Sequence, residues 1–251
     1  MQKKQTVLME SDFQKGIISP VSRRKFLNYS GLSAAALLFA TSCKKEITSP
    51  DDITPDDGEA LMGRNDNPAN VVNLGKGDIG ILNYAYALEQ LEAAFYIQVV
   101  NSSYYAGASA KEKEYLKDIR DHEIAHREFF KRVLGNRAIR TLEVDFSSVN
   151  FSSRESVLGT AKAFEDLGVS AYNGAGELIE NPEYLLYAGK IVSVEARHAA
   201  TLRDLISYGS FADSTAVNAQ GLDLYRTPPE VLAIADTYIV TRILAHNLPT
   251  S

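Results

Sequence analysis

The sequence contains one cysteine, Cys43, among its 251 residues, which excludes a disulfide within the chain. It also lacks a long apolar run, because the apolar stretch at residues 31–40 is shorter than the about 20 residues that a membrane-spanning helix requires. Basic residues are outnumbered, with 26 Lys and Arg against 32 Asp and Glu, so there is no electrostatic case for nucleic-acid binding. The 45% of hydrophobic residues is enough for one core of ordinary size.

The N-terminal segment combines a twin arginine with this short apolar run. Arg23 and Arg24 lie in the stretch S-R-R-K-F-L at residues 22–27, directly before the apolar residues. This order resembles a twin-arginine export signal, and it predicts a signal peptide over residues 1–42. The remaining chain carries 20 basic and 30 acidic side chains, a net charge of −10. We therefore expect an exported, acidic protein.

Cys43 follows the apolar run in the stretch A-T-S-C-K-K. A cysteine preceded by small residues at this point resembles the lipobox of bacterial lipoproteins, in which Cys43 becomes the lipidated first residue of the mature protein. Ala40 stands where that motif usually has leucine, so ordinary signal cleavage nearby is the alternative. Lipidation predicts attachment to the membrane. Residues 43–77, rich in Asp, Pro, Asn and Gly, are expected to form a flexible tether, followed by one domain over residues 78–251.

Apolar periodicity and capping residues predict an all-α domain of four long helices and a short fifth one. Asp78 is expected to cap helix one, which ends near Asn101, and Ser109 and Gly135 are expected to bound helix two. Residues 136–151 form a long crossover that includes the strand-like stretch T-L-E-V-D-F. Helix three is predicted from residue 152 or 153 to residues 174–176, helix four from 181 to about 208, and helix five from 227 through V-L-A-I-A-D-T-Y-I-V.

The most informative pattern places two isolated glutamates 34 and 30 residues before two Glu-x-x-His pairs. The residues concerned are Glu89, Glu123, His126, Glu165, Glu195 and His198. A glutamate and a histidine three residues apart lie on the same face of a helix, so they can bind one ion or two neighbouring ions. The stretches around the isolated glutamates, L-E-Q-L-E-A-A-F-Y at 88–96 and F-E-D-L-G-V-S-A-Y at 164–172, repeat one another.

These glutamates lie on apolar helix faces rather than on polar ones. In helix one, the stripe consists of Leu82, Ala85, Glu89, Glu92, Tyr96 and Val99. Ionised carboxylates that converge in an apolar core require compensating cations. Iron or manganese suits a mixed set of carboxylate and imidazole ligands, so the sequence predicts a dinuclear metal site inside a four-helix bundle.

Four segments carry a resemblance to a known family. They are L-N-Y-A-Y-A-L-E-Q-L-E-A-A-F-Y (82–96), I-R-D-H-E-I-A-H (119–126), F-E-D-L-G-V-S-A-Y (164–172) and V-E-A-R-H-A-A-T-L-R (194–203). The chain resembles the ferritin-like superfamily of di-iron carboxylate proteins, and in particular exported bacterial and plant desiccation-related members. The resemblance covers residues 79–207 and implies a ferritin-like four-helix bundle with a long crossover between helices 2 and 3.

The resemblance also implies a role for each residue of the pattern. Glu89 and Glu165 would each serve one ion, Glu123 and Glu195 would bridge both, and one histidine would complete each ion. Tyr96 and Tyr172 are similar to tyrosines that lie behind the ligands in ferritins. Glu92 is expected in the same surrounding layer, and the alternatives are an extra ligand or a hydrogen-bond partner to a tyrosine. His122 is expected to be structural rather than a ligand, and Asp121 is a candidate to orient a ligand histidine.

The family does not prescribe one activity. The expected function is a di-iron oxidoreductase or ferroxidase that reacts with oxygen or peroxide, with two iron ions as cofactor and manganese as the alternative. The other hypotheses are a manganese catalase-like disproportionation of peroxide and a non-catalytic stress or structural protein of the cell envelope. A homo-oligomer is possible, and the sequence does not name a redox partner.

Overall fold

The computed structural model describes residues 70–249. Four long helices form the bundle: α1 (Gly77–Val100), α3 (Ala110–Leu134), α4 (Arg154–Gly176) and α5 (Pro182–Ile206). α1 packs along α3 and α4 packs along α5, and the two pairs contact each other through α1 with α4 and α3 with α5. The predicted all-α bundle with a long crossover between its second and third long helices is confirmed.

Shorter elements complete the described region. They are the strand β1 (Val71–Asn73), the helix α2 (Ser103–Gly107), the helix α6 (Pro228–Ala235) and the strand β2 (Arg242–Leu244), with 3-10 turns at Gly135–Arg137 and Asp236–Tyr238. β1 and β2 pair in parallel, with Val72 opposite Ile243. Sequence reasoning missed this pair, because β1 lies within the segment 43–77 that was predicted to be a tether. The rest of that segment, up to residue 69, lies outside the described residues.

Most of the predicted helix ends agree with the structure. Ser109 caps α3 in a capping box with Glu112, and Gly135 ends the helix with φ of 59°. Asn181 caps α5, in which Pro182 is the first residue. The caps at Ser109 and Asn181 set where α3 and α5 begin, and so they set the level at which the glutamates of these two helices meet the others.

Asp78 does not cap α1 as predicted. The helix begins at Gly77 with Lys76 in the capping position, so Asp78 lies inside the first turn. Its carboxylate instead accepts hydrogen bonds from the backbone N–H groups of Glu180 and Asn181, at 2.8 and 2.9 Å. The aspartate therefore ties the start of α1 to the start of α5.

The fifth helix is shorter than predicted. α6 begins at Pro228 after a capping box between Thr227 and Glu230, and it ends at Ala235 rather than continuing to residue 240. The chain after it is rich in β-branched residues and pairs with the crossover, where Ile239 forms an antiparallel bridge with Val144. That bridge lies in the T-L-E-V-D-F stretch, which makes no longer strand in the described region. Pairing between distant segments thus outweighs the local helical pattern.

α1 is buried on nearly all sides, and not only along its predicted stripe. Its outer face is covered by the crossover, which bonds to two polar side chains of the helix. Asn83 accepts from Ile139 N–H at 2.9 Å and donates to the carbonyl of Arg137 at 3.0 Å, while Gln90 accepts from Leu142 N–H at 2.9 Å. A helix that is covered all round is expected to lack a polar face, as this one does. The crossover thereby holds α1, and Glu89 with it, at the centre of the domain.

Candidate metal centre

The six side chains of the Glu and Glu-x-x-His pattern meet between the four long helices. α1 contributes Glu89, α3 contributes Glu123 and His126, α4 contributes Glu165, and α5 contributes Glu195 and His198. All four glutamates have no exposed surface. The helical stripes that were predicted to face inward do face inward, so the structure brings together every residue that the pattern singled out.

The donor atoms of these side chains form two overlapping groups. In each group, one atom per residue lies within 4.8 Å of all the others. The first group is Glu89, Glu123, His126 and Glu195, and the second is Glu123, Glu165, Glu195 and His198. Glu123 and Glu195 belong to both groups. This placement agrees with the expected division into two terminal and two bridging carboxylates, although the ligand roles themselves remain a prediction.

The two histidines occupy equivalent places in the two groups. Nδ1 of His126 lies 2.8 Å from Oε1 of Glu195 and 3.5 Å from Oε2 of Glu89. Nδ1 of His198 lies 2.9 Å from Oε1 of Glu123 and 3.2 Å from Oε2 of Glu165. Each imidazole therefore lies closest to the glutamate of the other Glu-x-x-His pair. The repeat in the sequence has become an approximate twofold arrangement of donors.

Several of these buried atoms have no hydrogen-bond partner of good geometry among the described residues. They are both carboxylate oxygens of Glu123 and of Glu195, Oε2 of Glu89, Oε1 of Glu165 and Nδ1 of His126. Carboxylate oxygens buried without partners are strongly unfavourable unless a cation is bound. Four carboxylates with two imidazoles match the donor preferences of iron and manganese. The residues present therefore fit two divalent metal ions.

Burial and the neighbouring charges shift the pKa values of the site residues in opposite directions. Burial raises the pKa of Glu89 to about 8. The nearby His126 acts in the opposite direction, and the Glu195 and Glu123 charges add to the rise. Burial also disfavours a charged His198, but Glu165 and the other carboxylates outweigh it and raise the pKa of His198 to about 12. For Glu195, burial is outweighed by the two histidines, which lower its pKa to about 2. The cluster thus attracts positive charge.

Two tyrosines each lie beside a glutamate of the opposite half of the site. The hydroxyl of Tyr172, on α4, donates a hydrogen bond to Oε1 of Glu89, on α1. The hydroxyl of Tyr96, on α1, lies beside Glu165, on α4, but without a hydrogen bond of good geometry. Burial and the neighbouring carboxylates raise the pKa of both tyrosines well above the usual value. Each tyrosine predicted to lie behind the ligands therefore neighbours the isolated glutamate of the other half.

Glu92 lies next to the site but outside both donor groups. It is buried, and burial together with the charges of Glu195, Glu123, Glu165 and Glu89 raises its pKa well above the usual value. The equivalent position in the second half is Gly168, where a Cβ atom would lie 3.0 Å from Oε1 of Glu92 and 3.6 Å from Oε2 of Glu195. The glycine leaves the space that the carboxylate of Glu92 occupies.

His122 contacts the site in a way that sequence reasoning did not anticipate. Its ring stacks on His198 with centroids 5.2 Å apart and planes 10° apart, and its Nδ1 lies 2.9 Å from Nε2 of His198. A hydrogen bond to the outer nitrogen of a histidine orients the ring and selects its tautomer. The available signal was the position of His122 one helical turn before His126.

Asp121 was a candidate for orienting a ligand histidine, and the structure contradicts this. Its carboxylate forms ion pairs with Lys117 at 2.9 Å and with Arg120 at 2.5 Å on the exposed face of α3. The neighbouring residue, His122, makes the contact with His198 instead. One position along a helix turns a side chain by about 100°, which is enough to move it from the site to the surface.

Comparison with known families agrees with this geometry. The sequence model of the ferritin-like domain family matches residues 77–208, which include the four long helices and all six clustered side chains. The chain belongs to the ferritin-like domain family. No curated protein matches the chain. The ferritin-like assignment therefore rests on the bundle, on the family model and on the buried donor set.

The residues predicted to serve export and anchoring, Arg23, Arg24 and Cys43, lie outside the described part of the chain. Within residues 70–249, no helix combines the length and the apolar character needed to cross a membrane. The export signal, the lipid anchor and the site of signal cleavage thus remain predictions from the sequence.

Proposed function

We propose that this ferritin-like protein is an exported dinuclear metal oxidoreductase or ferroxidase that reacts with dioxygen or peroxide. The observation that carries the proposal is the pair of overlapping donor groups that share Glu123 and Glu195 within the bundle. A purely structural bundle gains nothing from four fully buried glutamates, because most of their carboxylate oxygens have no hydrogen-bond partner among the described residues and their burial destabilises the fold. Bound cations would compensate these buried carboxylates, which gives the cluster a function in metal binding.

The side chains would divide the work as the geometry suggests. Glu89 with His126, and Glu165 with His198, would each hold one iron ion, and Glu123 and Glu195 would contact both. When bound, two redox-active ions supply electrons in pairs, which is the chemistry that reduction of oxygen or peroxide needs. Tyr172 would hold Glu89 in position through its hydrogen bond, and the rings of Phe95 and Phe164, 5.0 Å apart, would help to keep water out of the adjoining core.

The sequence also supports a location for this activity. We propose export by the twin-arginine route through Arg23 and Arg24, followed by attachment to the membrane by a lipid on Cys43. Folding before export would let the cell supply iron or manganese, since copper and zinc otherwise compete strongly for carboxylate and imidazole sites. A Cys43→Ser variant should be released from the membrane fraction while remaining exported. Its retention in that fraction would contradict the lipid anchor.

Elemental analysis of the natively exported protein tests the metal site. We expect about two iron or manganese ions per chain, as a site with two overlapping donor groups would hold. The double variant Glu123→Ala, His126→Ala should lose this metal while retaining its helical circular dichroism spectrum. The matched control is Glu114→Ala, His246→Ala, which removes the same chemical groups from exposed positions and should keep the metal.

Turnover assays on the same samples test the reaction. The oxidoreductase would be supported if the protein contains iron and either oxidises ferrous ions in the presence of oxygen or consumes peroxide. Manganese with release of oxygen from peroxide would instead support the catalase-like alternative. Two metal ions without turnover would favour the non-catalytic envelope protein. No stoichiometric metal in either the native protein or the control would overturn the dinuclear site.

A further inference from the structure

The bundle contains an apolar cavity beside the candidate metal centre. The cavity has a volume of about 270 Å³ and lies where α1 and α5 begin and where α3 and α4 end. All four long helices contribute to its walls, for example through Leu88, Phe130, Ala171 and Ala188. The cavity is partly open to solvent, because Glu183 and Tyr187 in its wall are exposed. Ligand sites are typically concave, mostly apolar clefts with a few polar groups, which makes this cavity a candidate binding site.

The size of the cavity selects a small molecule. An α-helix with its side chains is about 10–12 Å across, too wide for this space, which argues against a segment of a second copy or of the chain itself. Apolar cavities of about 150 Å³ already hold an aromatic ring the size of benzene. A cavity of about 270 Å³ has room for a longer hydrocarbon.

The lining indicates the polarity of the occupant. Its walls are aliphatic and aromatic apart from the tyrosine hydroxyls and Glu183, which is exposed. A negative charge would be disfavoured both by this glutamate and by burial among apolar side chains. Tyr84 belongs to the wall, is 1% exposed, and its hydroxyl has no hydrogen-bond partner among the described residues. This hydroxyl has no accessible surface, so a small shift of the side chain would bring it to the cavity, where one oxygen atom on the ligand would supply the missing acceptor.

The side chain of Tyr172 connects the cavity to the candidate metal centre. Tyr172 lines the cavity, and its hydroxyl group donates a hydrogen bond to Glu89. The ring of Phe130, also in the wall, lies 6.4 Å from that of Tyr172. A molecule in the cavity would therefore contact Tyr172, which positions the candidate ligand Glu89.

We propose that this cavity binds an uncharged, largely hydrocarbon molecule with a single oxygen, such as a medium-chain alcohol or ketone. Binding depends only on the shape and the polarity of the cavity. Its effect on the metal centre through Tyr172 rests on the proposed function.

Isothermal titration of the full mature protein with 1-octanol tests the binding. We expect saturable binding of one molecule per chain, with octanoate at least about tenfold weaker because its carboxylate would be buried in the apolar cavity near Glu183. A Tyr84→Phe variant should bind 1-octanol roughly fivefold more weakly, as expected for the loss of one hydrogen bond.

Variants that fill the cavity show whether the titration reports on this site. Ala188→Leu and Ala85→Leu place larger side chains in its walls and should abolish binding, and either one suffices if the other fails to fold. Ala110→Leu makes the same change at an exposed position and should bind as the native protein does. Unchanged binding in a folded filling variant would place the ligand elsewhere and overturn the proposal.

Metal content and oligomeric state, measured on the same samples, separate the possible failures. Two metal ions per chain without saturable octanol binding would overturn only the cavity proposal. This holds also if a second copy of the chain or the N-terminal segment fills the cavity. Octanol binding without metal would instead overturn only the proposed oxidoreductase. In cobalt-loaded protein, a shift of the visible spectrum on adding 1-octanol would support the link through Tyr172, and an unchanged spectrum at saturation would overturn it.

Discussion

Tyr172 and Glu89 lie 83 residues apart in the sequence and are joined by a hydrogen bond inside the bundle. The tyrosine belongs to the second half of the repeat and the glutamate to the first. Tyr96 occupies the reciprocal position beside Glu165, but with poorer geometry. The two halves are therefore similar in their candidate ligands and different in the hydrogen bonds that these two tyrosines make.

Removing the Tyr172 hydroxyl should weaken metal binding without abolishing it. We expect Tyr172→Phe to retain two ions per chain but to lose about tenfold or more in affinity, as is typical when a partner of a metal ligand is removed. Competition with a chelator measures this. Tyr104→Phe is the control, since the Tyr104 hydroxyl is also buried but has no hydrogen-bond partner among the described residues. Equal affinities in the two variants would contradict a role for the Tyr172 hydrogen bond.

Gly168 should be intolerant of a side chain, in contrast to a second glycine of the same helix. Gly168→Ala would place a Cβ atom 3.0 Å from Glu92, so we expect a loss of about 1–3 kcal/mol in the free energy of unfolding and weaker metal binding. Gly159 has open space around its Cα, and Gly159→Ala should raise the free energy of unfolding by about 0.5–1 kcal/mol. Urea denaturation checks both. A neutral Gly168→Ala would show that Glu92 moves freely.

Arg203 should anchor the segment after α5. Its side chain is 2% exposed and contacts both carboxylate oxygens of Asp166 at 2.8 Å, with Thr215 Oγ1 also at 2.8 Å. Arg203→Ala should lower the free energy of unfolding by about 3 kcal/mol, because it breaks a largely buried ion pair. Lysine should not restore it, since one ammonium group cannot form the paired contacts.

Denaturation and limited proteolysis measure the effect of Arg203 separately on the domain and on the segment. Cleavage should increase within residues 207–227 in Arg203→Ala. The control is Arg197→Ala, an exposed position of α5, which should change the free energy of unfolding by no more than about 0.5 kcal/mol. Faster cleavage in the control than in Arg203→Ala would contradict the anchoring role.

Removal of metal should destabilise the domain. A bound ion stabilises the folded state by about 2.7 kcal/mol when its free concentration is 100 times Kd. We therefore expect a chelator to lower the Tm of the native protein, while the Tm of Glu123→Ala, His126→Ala should not respond. Thermal unfolding followed by circular dichroism gives both values. A native Tm that is insensitive to chelation, in protein shown to lose its metal, would mean that the bundle is stable without ions.

The sequence by itself determined the long helices and the residues that point inward. Periodicity, caps such as Ser109 and the spacing of glutamate and histidine are local features of the sequence. The position and the inward face of a helix depend largely on such local features. The same three-residue spacing puts Glu123 on one helix face with His126, and Glu195 on one face with His198. Tertiary packing then brought these pairs together as expected for a four-helix bundle.

Only the tertiary structure decided the contacts between distant segments. The strand pair β1–β2, the role of Asp78 at the start of α5 and the stacking of His122 on His198 each join residues that are far apart in the chain. The early end of α6 has the same origin, because residues after it pair with the crossover. Such contacts depend on which faces meet after folding, and the sequence pattern of a single helix does not specify its neighbour.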